Sequence, residues 1–351
     1  MLRKLQSLNL HILVVYLLLV FPMFYYVYKF GVLLMGYDDV KSYLKLYANL
    51  SDPEVPAPFN MRLISASCIH FMDKLGLMYN TECSIDTYTW VNKRIFFNSI
   101  FFNFFCITAT SFSLFTIFLK LNFSRIMSFL AGLTYLLGFG TIFYLMMPGP
   151  DALSVLIFTW VVYFYIRRSY WMLPFFAALI FQREYYFLSF FVVAFMDFFR
   201  HGRNRYYLWI SVASVAGFGI YFILRKNVFH TIHWSHQTNP EFLWSTLWEN
   251  DLQLVPLIKQ SLMTMNVYLV YIFILVYKKM KGYSINSHHL YITLLLLAEI
   301  TILSFAATFG TNNGRYFYLN IPLFLYYILL ELKPFKLVLT SEGETPAQAV
   351  P

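Results

Sequence analysis

Long apolar runs recur along this chain, and most are sized for a lipid bilayer. A hydrocarbon core of about 30 Å takes about 20 apolar residues as a helix, and only helices or closed barrels satisfy the backbone at that depth. Of the 351 residues, 59% are hydrophobic and 12% charged, where a soluble domain carries about 25% charged residues. The expectation is an all-α polytopic membrane protein. The first run, residues 8–34, is longer than a signal-peptide core and has no small-residue cleavage site, so it is expected to be a retained helix.

The formal net charge is +9. Short basic loops mark the cytoplasmic side of membrane proteins and meet anionic headgroups. Membrane lipids are therefore the expected partners, and no nucleic-acid module is visible. Cys68 and Cys83 both fall in the first long loop and either pair there or stay as thiols. Cys106 lies inside an apolar run and is expected in the core.

Candidate membrane helices are 9–34, 95–118, 126–147, 151–166, 206–224, 262–277, 288–309 and 317–332. The block 172–199 is apolar except for Gln182-Arg183-Glu184 and Asp197. Arg3 and Lys4 put the N-terminus in the cytoplasm. A single crossing of 172–199 would send Arg200, Arg203 and Arg205, and later Lys278, Lys279 and Lys281, outside. A double crossing keeps them inside with Lys333 and Lys336. The block is therefore split at Arg183-Glu184 into halves of about 11 and 15 residues, or about 16 and 22 Å of helix. Short broken helices are tolerated where they border a cavity. About ten membrane segments follow, with both termini cytoplasmic.

On this reading residues 1–339 form one integral domain, with extracytoplasmic loops at 35–94 and 225–261, and 340–351 form a disordered cytoplasmic tail. Val40, Tyr43, Leu44, Tyr47 and Leu50 fall on one stripe. That suits an amphipathic helix lying on the outer interface, and 62–75 suits a second.

Most acidic residues fall on that outer side. Asp38 and Asp39 follow the first helix, where adjacent carboxylates raise each other's pKa or recruit a cation. One can serve as a general base on a hydroxyl, and either can instead cap the interfacial helix. Asp151 closes Pro148-Gly149-Pro150-Asp151 and is also a natural N-cap. Arg62 and Arg315 are outer-boundary arginines that can clamp a phosphate or anchor a headgroup. Arg183 and Glu184 would sit below the outer surface, where ionisable residues are costly and usually functional, although an ion pair that fixes helix packing also explains them. His230, His233 and His236 are spaced for a metal but lack an HExxH glutamate. No Gly-rich phosphate loop or Gly-x-Ser-x-Gly elbow is present.

In this order the motifs resemble those of the GT-C-type integral membrane glycosyltransferases, which take sugar from a polyprenyl-phosphate donor. The resemblance rests on Tyr37-Asp38-Asp39 after the first helix and on Pro58-Phe59-Asn60-Met61-Arg62-Leu63. It continues with Pro150-Asp151-Ala152-Leu153, Gln182-Arg183-Glu184 and Arg315-Tyr316 ahead of Pro322, and covers about residues 30–325. It implies a GT-C-like fold and sugar transfer to a glycan, lipid or protein acceptor on the extracytoplasmic face. Asp38 or Asp39 would be the base, and Asp151 would assist the acceptor or a metal. Arg62, Arg183 and Arg315 would meet the donor phosphate, with Glu184 and Tyr316 beside them. A divalent metal ion is left open as cofactor. The chain is short for the family and has no C-terminal soluble domain. A lipid or oligosaccharide transporter or flippase is the second reading, and a non-catalytic subunit of a polysaccharide-assembly complex the third.

Overall fold

A computed structural model describes residues 2–30, 37–76, 92–138, 140–142, 146–229, 266–282, 290–295, 298 and 318–332. Every regular element among them is helical. In chain order they are α1 (Leu2–Phe30), α2 (Tyr37–Ala48), α3 (Leu63–Lys74), α4 (Lys93–Lys120), α5 (Arg125–Leu136), α6 (Asp151–Ile166), α7 (Met172–Ala178), α8 (Tyr185–Arg200), α9 (Arg205–Asn227), α10 (Asn266–Met280) and α11 (Ile321–Leu332). Short 3-10 turns at Phe59–Met61 and Leu179–Phe181 precede α3 and follow α7.

Local chemistry fixes the boundaries. Asn92, Ser124 and Asn204 accept from the backbone N–H groups of Ile95, Met127 and Tyr206, which caps α4, α5 and α9. Asn122 and Arg203 close α4 and α8 in the left-handed region, at φ 63° and 62°. Phe123 and Arg203 then donate back to Phe118 and Phe198, the pattern that satisfies orphan carbonyls at a helix end.

Among the described residues three helices are long and apolar enough to cross a membrane, at 9–29, 93–120 and 205–227. α4 is largely buried, while α1 and α9 present exposed apolar side chains, among them Leu18, Phe21, Trp209 and Ile223. Exposed apolar belts of this length suit lipid and not water. Shorter apolar helices fill the interior, with α8 against α9, α5 against α4, and α6 between α4 and α7.

Two expectations are corrected. The run 126–147 is not one helix: α5 stops at Leu136. A Cβ on Gly138 or Gly140 would lie 2.7 Å and 2.0 Å from atoms of Tyr318. The Tyr318 hydroxyl, which donates to Tyr135 O, occupies the space that a continuing helix would need. The apolar stripe on α2 does not face lipid either. Val40, Tyr43, Leu44 and Tyr47 are all buried, because the stripe packs against α3, α4 and the turn at Phe59–Met61. The 172–199 block is interrupted at Gln182-Arg183-Glu184 as expected. Cys106 is buried in α4 and Cys68 is half-buried in α3. Cys83, the histidines at 230, 233 and 236, residues 230–261 and the tail 340–351 lie outside the described residues.

α8 and α9 pack closely. A Cβ on Gly217 would fall 2.4 Å from the Phe187 ring, itself held edge-on by Phe176. Overfilling such a contact costs about 1–3 kcal/mol. Gly217→Val is expected to lower the thermal midpoint in detergent, whereas Gly219→Val, where nothing lies within 4 Å, is expected to leave it close to that of wild type.

The charges separate by end. Lys120 and Arg167 both face the Tyr163 ring, and Arg168 donates to the Tyr207 hydroxyl, so the ends of α4 and α6 and the start of α9 lie together. With Arg125, Arg200, Arg203 and Arg205 these residues make one end cationic. There the carboxylate of Asp197 is buried and accepts from Tyr165, Tyr291 and Tyr327. The other end carries Asp39, Asp52, Glu54, Asp73, Asp151 and Glu184 among basic residues. There Arg94 grips Asp73 through two hydrogen bonds, 2.6 and 2.9 Å, which pins α3 to the start of α4.

Candidate functional site

At this end, where most of the carboxylates lie, a buried cluster assembles from four separate stretches of chain. Arg62 follows the Phe59–Met61 turn and opens α3. Asp151 is the first residue of α6. Arg183 and Glu184 lie in the break between α7 and α8. Tyr43 comes from α2. Arg183 Nε donates to Asp151 Oδ1 at 2.5 Å, and its Nη2 donates to the Tyr43 hydroxyl at 3.3 Å. Arg62 Nη2 lies 2.6 Å from Glu184 Oε2.

The local backbone explains why these groups face inward. Asp151 does not cap its own helix; its carboxylate turns to Arg183. Ser154 instead donates to Pro150 O at 2.7 Å and lies 3.4 Å from Gln182 Oε1. That contact ties the start of α6 to the chain break. In the break, the backbone turns at Gln182 (φ −134°, ψ −72°), which releases Arg183 from helical register.

Arg62 is the anomaly. It is 0% exposed, among the largest fully buried side chains of the protein. Its contact with Glu184 has the distance of an ion pair but not the alignment of a hydrogen bond, and neither Nε nor Nη1 has a hydrogen-bond partner among the described residues. Burial by itself would lower its pKa, but the Glu184 carboxylate, together with Tyr221 and Tyr43, turns the shift upward, so Arg62 stays charged. A buried charge with open donors is expensive. Groups left so in a native protein call for an explanation such as a ligand.

Other polar groups lie in the same region. Asn60 Oδ1 and Gln182 Nε2 have no hydrogen-bond partner among the described residues, while the Tyr221 hydroxyl faces Glu184 and the Tyr47 hydroxyl faces Ser65. Tyr221 of α9 sits beside Glu184 and Arg62, and Tyr47 beside Tyr43, Asp151 and Arg183. Donors and acceptors are both open, and the charges of the two arginines and two carboxylates cancel.

The structure thus brings together Arg62, Asp151, Arg183 and Glu184. Asp38 and Asp39 occupy the first turn of α2. Asp39, partly buried, stands one helical turn before Tyr43 on the same face; the side chain of Asp38, with Arg315 and Tyr316, lies outside the described residues. Tyr221 was not singled out in the sequence, Tyr43 and Tyr47 were read only as part of the apolar stripe, and Gln182 only as part of the Gln182-Arg183-Glu184 break. The available signal was the Tyr43/Tyr47 pair, four residues apart on the stripe of α2. Among the described residues no group of three His, Cys, Asp or Glu side chains could hold a metal. No family model matches the chain, and no curated protein or solved structure matches it.

Proposed function

We propose that this chain is a polytopic membrane glycosyltransferase of GT-C type, moving a sugar from a polyprenyl-phosphate donor to an acceptor hydroxyl. The observation that carries the reading is the meeting of Arg62, Asp151, Arg183 and Glu184, far apart in sequence, around a buried guanidinium with open donors. In this reading the chain makes about ten membrane segments, with both termini cytoplasmic and the site on the extracytoplasmic side. The cationic end, facing the cytoplasm, agrees with the bias of short basic loops.

The arginines have different roles. Arg183 is committed to Asp151 and Tyr43 and braces the site. Arg62 has donors to offer the donor phosphate. The acceptor oxygen attacks the anomeric carbon, whose bond to the phosphate oxygen breaks. The bonding pair leaves on the phosphate, where charge-assisted bonds from Arg62 stabilise the growing negative charge. The acceptor proton passes to Asp38 or Asp39 on α2. A divalent metal ion could be held by these carboxylates and would further neutralise the phosphate. Glycan, lipid and protein acceptors all present a suitable hydroxyl.

The test is transfer of radiolabelled sugar from a panel of polyprenyl-phosphate sugars by the purified protein. Asp38→Asn and Asp39→Asn are run beside wild type, with and without divalent metal. The expected result is transfer by wild type and a loss of at least about 100-fold in one variant, since a positioned base supplies about 10²–10⁴. No transfer from any donor, together with full complementation of a deletion strain by both variants, would favour a transporter, flippase or assembly subunit instead.

A further inference from the structure

The cationic end contains a second arrangement that the transfer chemistry does not use. Lys120, the last residue of α4, and Arg167, just past α6, stand 5.8 and 6.0 Å from the centroid of one ring, that of Tyr163. Both cations are exposed, and among the described residues neither has a carboxylate partner. A tyrosine face attracts a cation, but two cations on one ring repel each other. What balances them best is an anion shared between them.

An apolar track leads away from this pair. Leu153, Leu156, Ile157, Trp160, Tyr163 and Phe164 recur at helical spacing along α6, and all are half-buried, neither sealed in the core nor fully open. α4 and α7 pack against α6. Trp160 meets both Tyr163 and Phe164, and Phe164 meets Phe175 of α7. The stripe is thus a half-buried track about 15 Å long, apolar along its length and cationic at one end.

We infer that this track is a binding site for an anionic phospholipid, its phosphate between Lys120 and Arg167 and one acyl chain along α6. Charge complementarity selects the headgroup, and the sharing of one ring by two cations distinguishes the site from Arg168 and Arg200, each of which stands over a different ring. A free phosphate ion would satisfy the cations without using the track. The inference rests on the chain being a membrane protein and is independent of sugar transfer.

The experiment is native mass spectrometry of the full chain released from detergent after incubation with phosphatidylglycerol or phosphatidylcholine of matched chains. Wild type is expected to retain one phosphatidylglycerol several-fold more than phosphatidylcholine. The double variant Lys120→Gln/Arg167→Gln is expected to lose that preference, while Arg203→Gln/Arg205→Gln, with the same loss of charge at the same end, keeps it. Trp160→Ala is expected to reduce retention of the bound lipid, and millimolar inorganic phosphate to leave it in place. Equal loss in the two double variants, or displacement by inorganic phosphate, would overturn the site. So would unchanged preference in Lys120→Gln/Arg167→Gln with a wild-type thermal midpoint. Because the readout is lipid retention, a protein inactive in sugar transfer is judged by the same outcomes.

Discussion

Asp151→Ala is expected to destabilise the protein by about 3–5 kcal/mol, the cost of stranding one member of a buried ion pair. Both partners are nearly inaccessible, with side-chain exposures of 1% for Asp151 and 8% for Arg183, so solvent screening gives little relief. Arg183→Met alone strands the carboxylate instead and should cost a similar amount. In the double variant Asp151→Ala/Arg183→Met no unpaired charge remains, and part of the loss should return. The Tyr43 hydroxyl would still lose its donor, so recovery should be incomplete. The measurement is the thermal midpoint of all three variants in one detergent, read by intrinsic fluorescence or by the monomer fraction after heating. A double variant less stable than either single one would show that Arg183 and Asp151 are held by their other contacts and not by each other.

That ion pair also shows what a sequence can disclose. Gln182-Arg183-Glu184 interrupts an otherwise apolar block, and charge at that depth calls for a break and a partner, so the chain break was legible. Asp151 looked like a helix cap by local rules, and local rules could not reveal that its carboxylate would turn to a residue 32 positions away. The same limit explains the failed 126–147 helix. Its apolar pattern is continuous, but Gly138 and Gly140 leave room that Tyr318 fills from the far end of the chain. The stripe of α2 was read correctly as a stripe and assigned to the wrong neighbour. Periodicity identifies the apolar face but not whether lipid or protein covers it. Tyr43 and Tyr47 were read as stripe residues and Tyr221 was passed over because tyrosine is abundant here, 28 residues in all, and only the position of each hydroxyl distinguishes a site residue from an interfacial one.

A large effect on activity is also expected at Arg62, and two substitutions separate its roles. Arg62→Gln removes the charge facing Glu184, so both folding and transfer should suffer. Arg62→Lys keeps a cation opposite Glu184, whose Oε2 now lies 2.6 Å from the guanidinium. It should hold most of the stability. A lysine, however, cannot present the fork of donors that the guanidinium's open Nε and Nη1 provide, and it meets a phosphate as a point charge. If those donors stabilise the leaving phosphate, Arg62→Lys should lower kcat by about 10²–10³-fold, the usual cost of removing one donor aimed at developing charge, with a much smaller change in KM. Steady-state transfer kinetics on both variants, with thermal midpoints measured alongside, give the comparison. Equal activity of Arg62→Lys and wild type would make Arg62 only the partner of Glu184. A large kcat loss in a protein that melts with wild type requires that Arg62 act on the reacting phosphate.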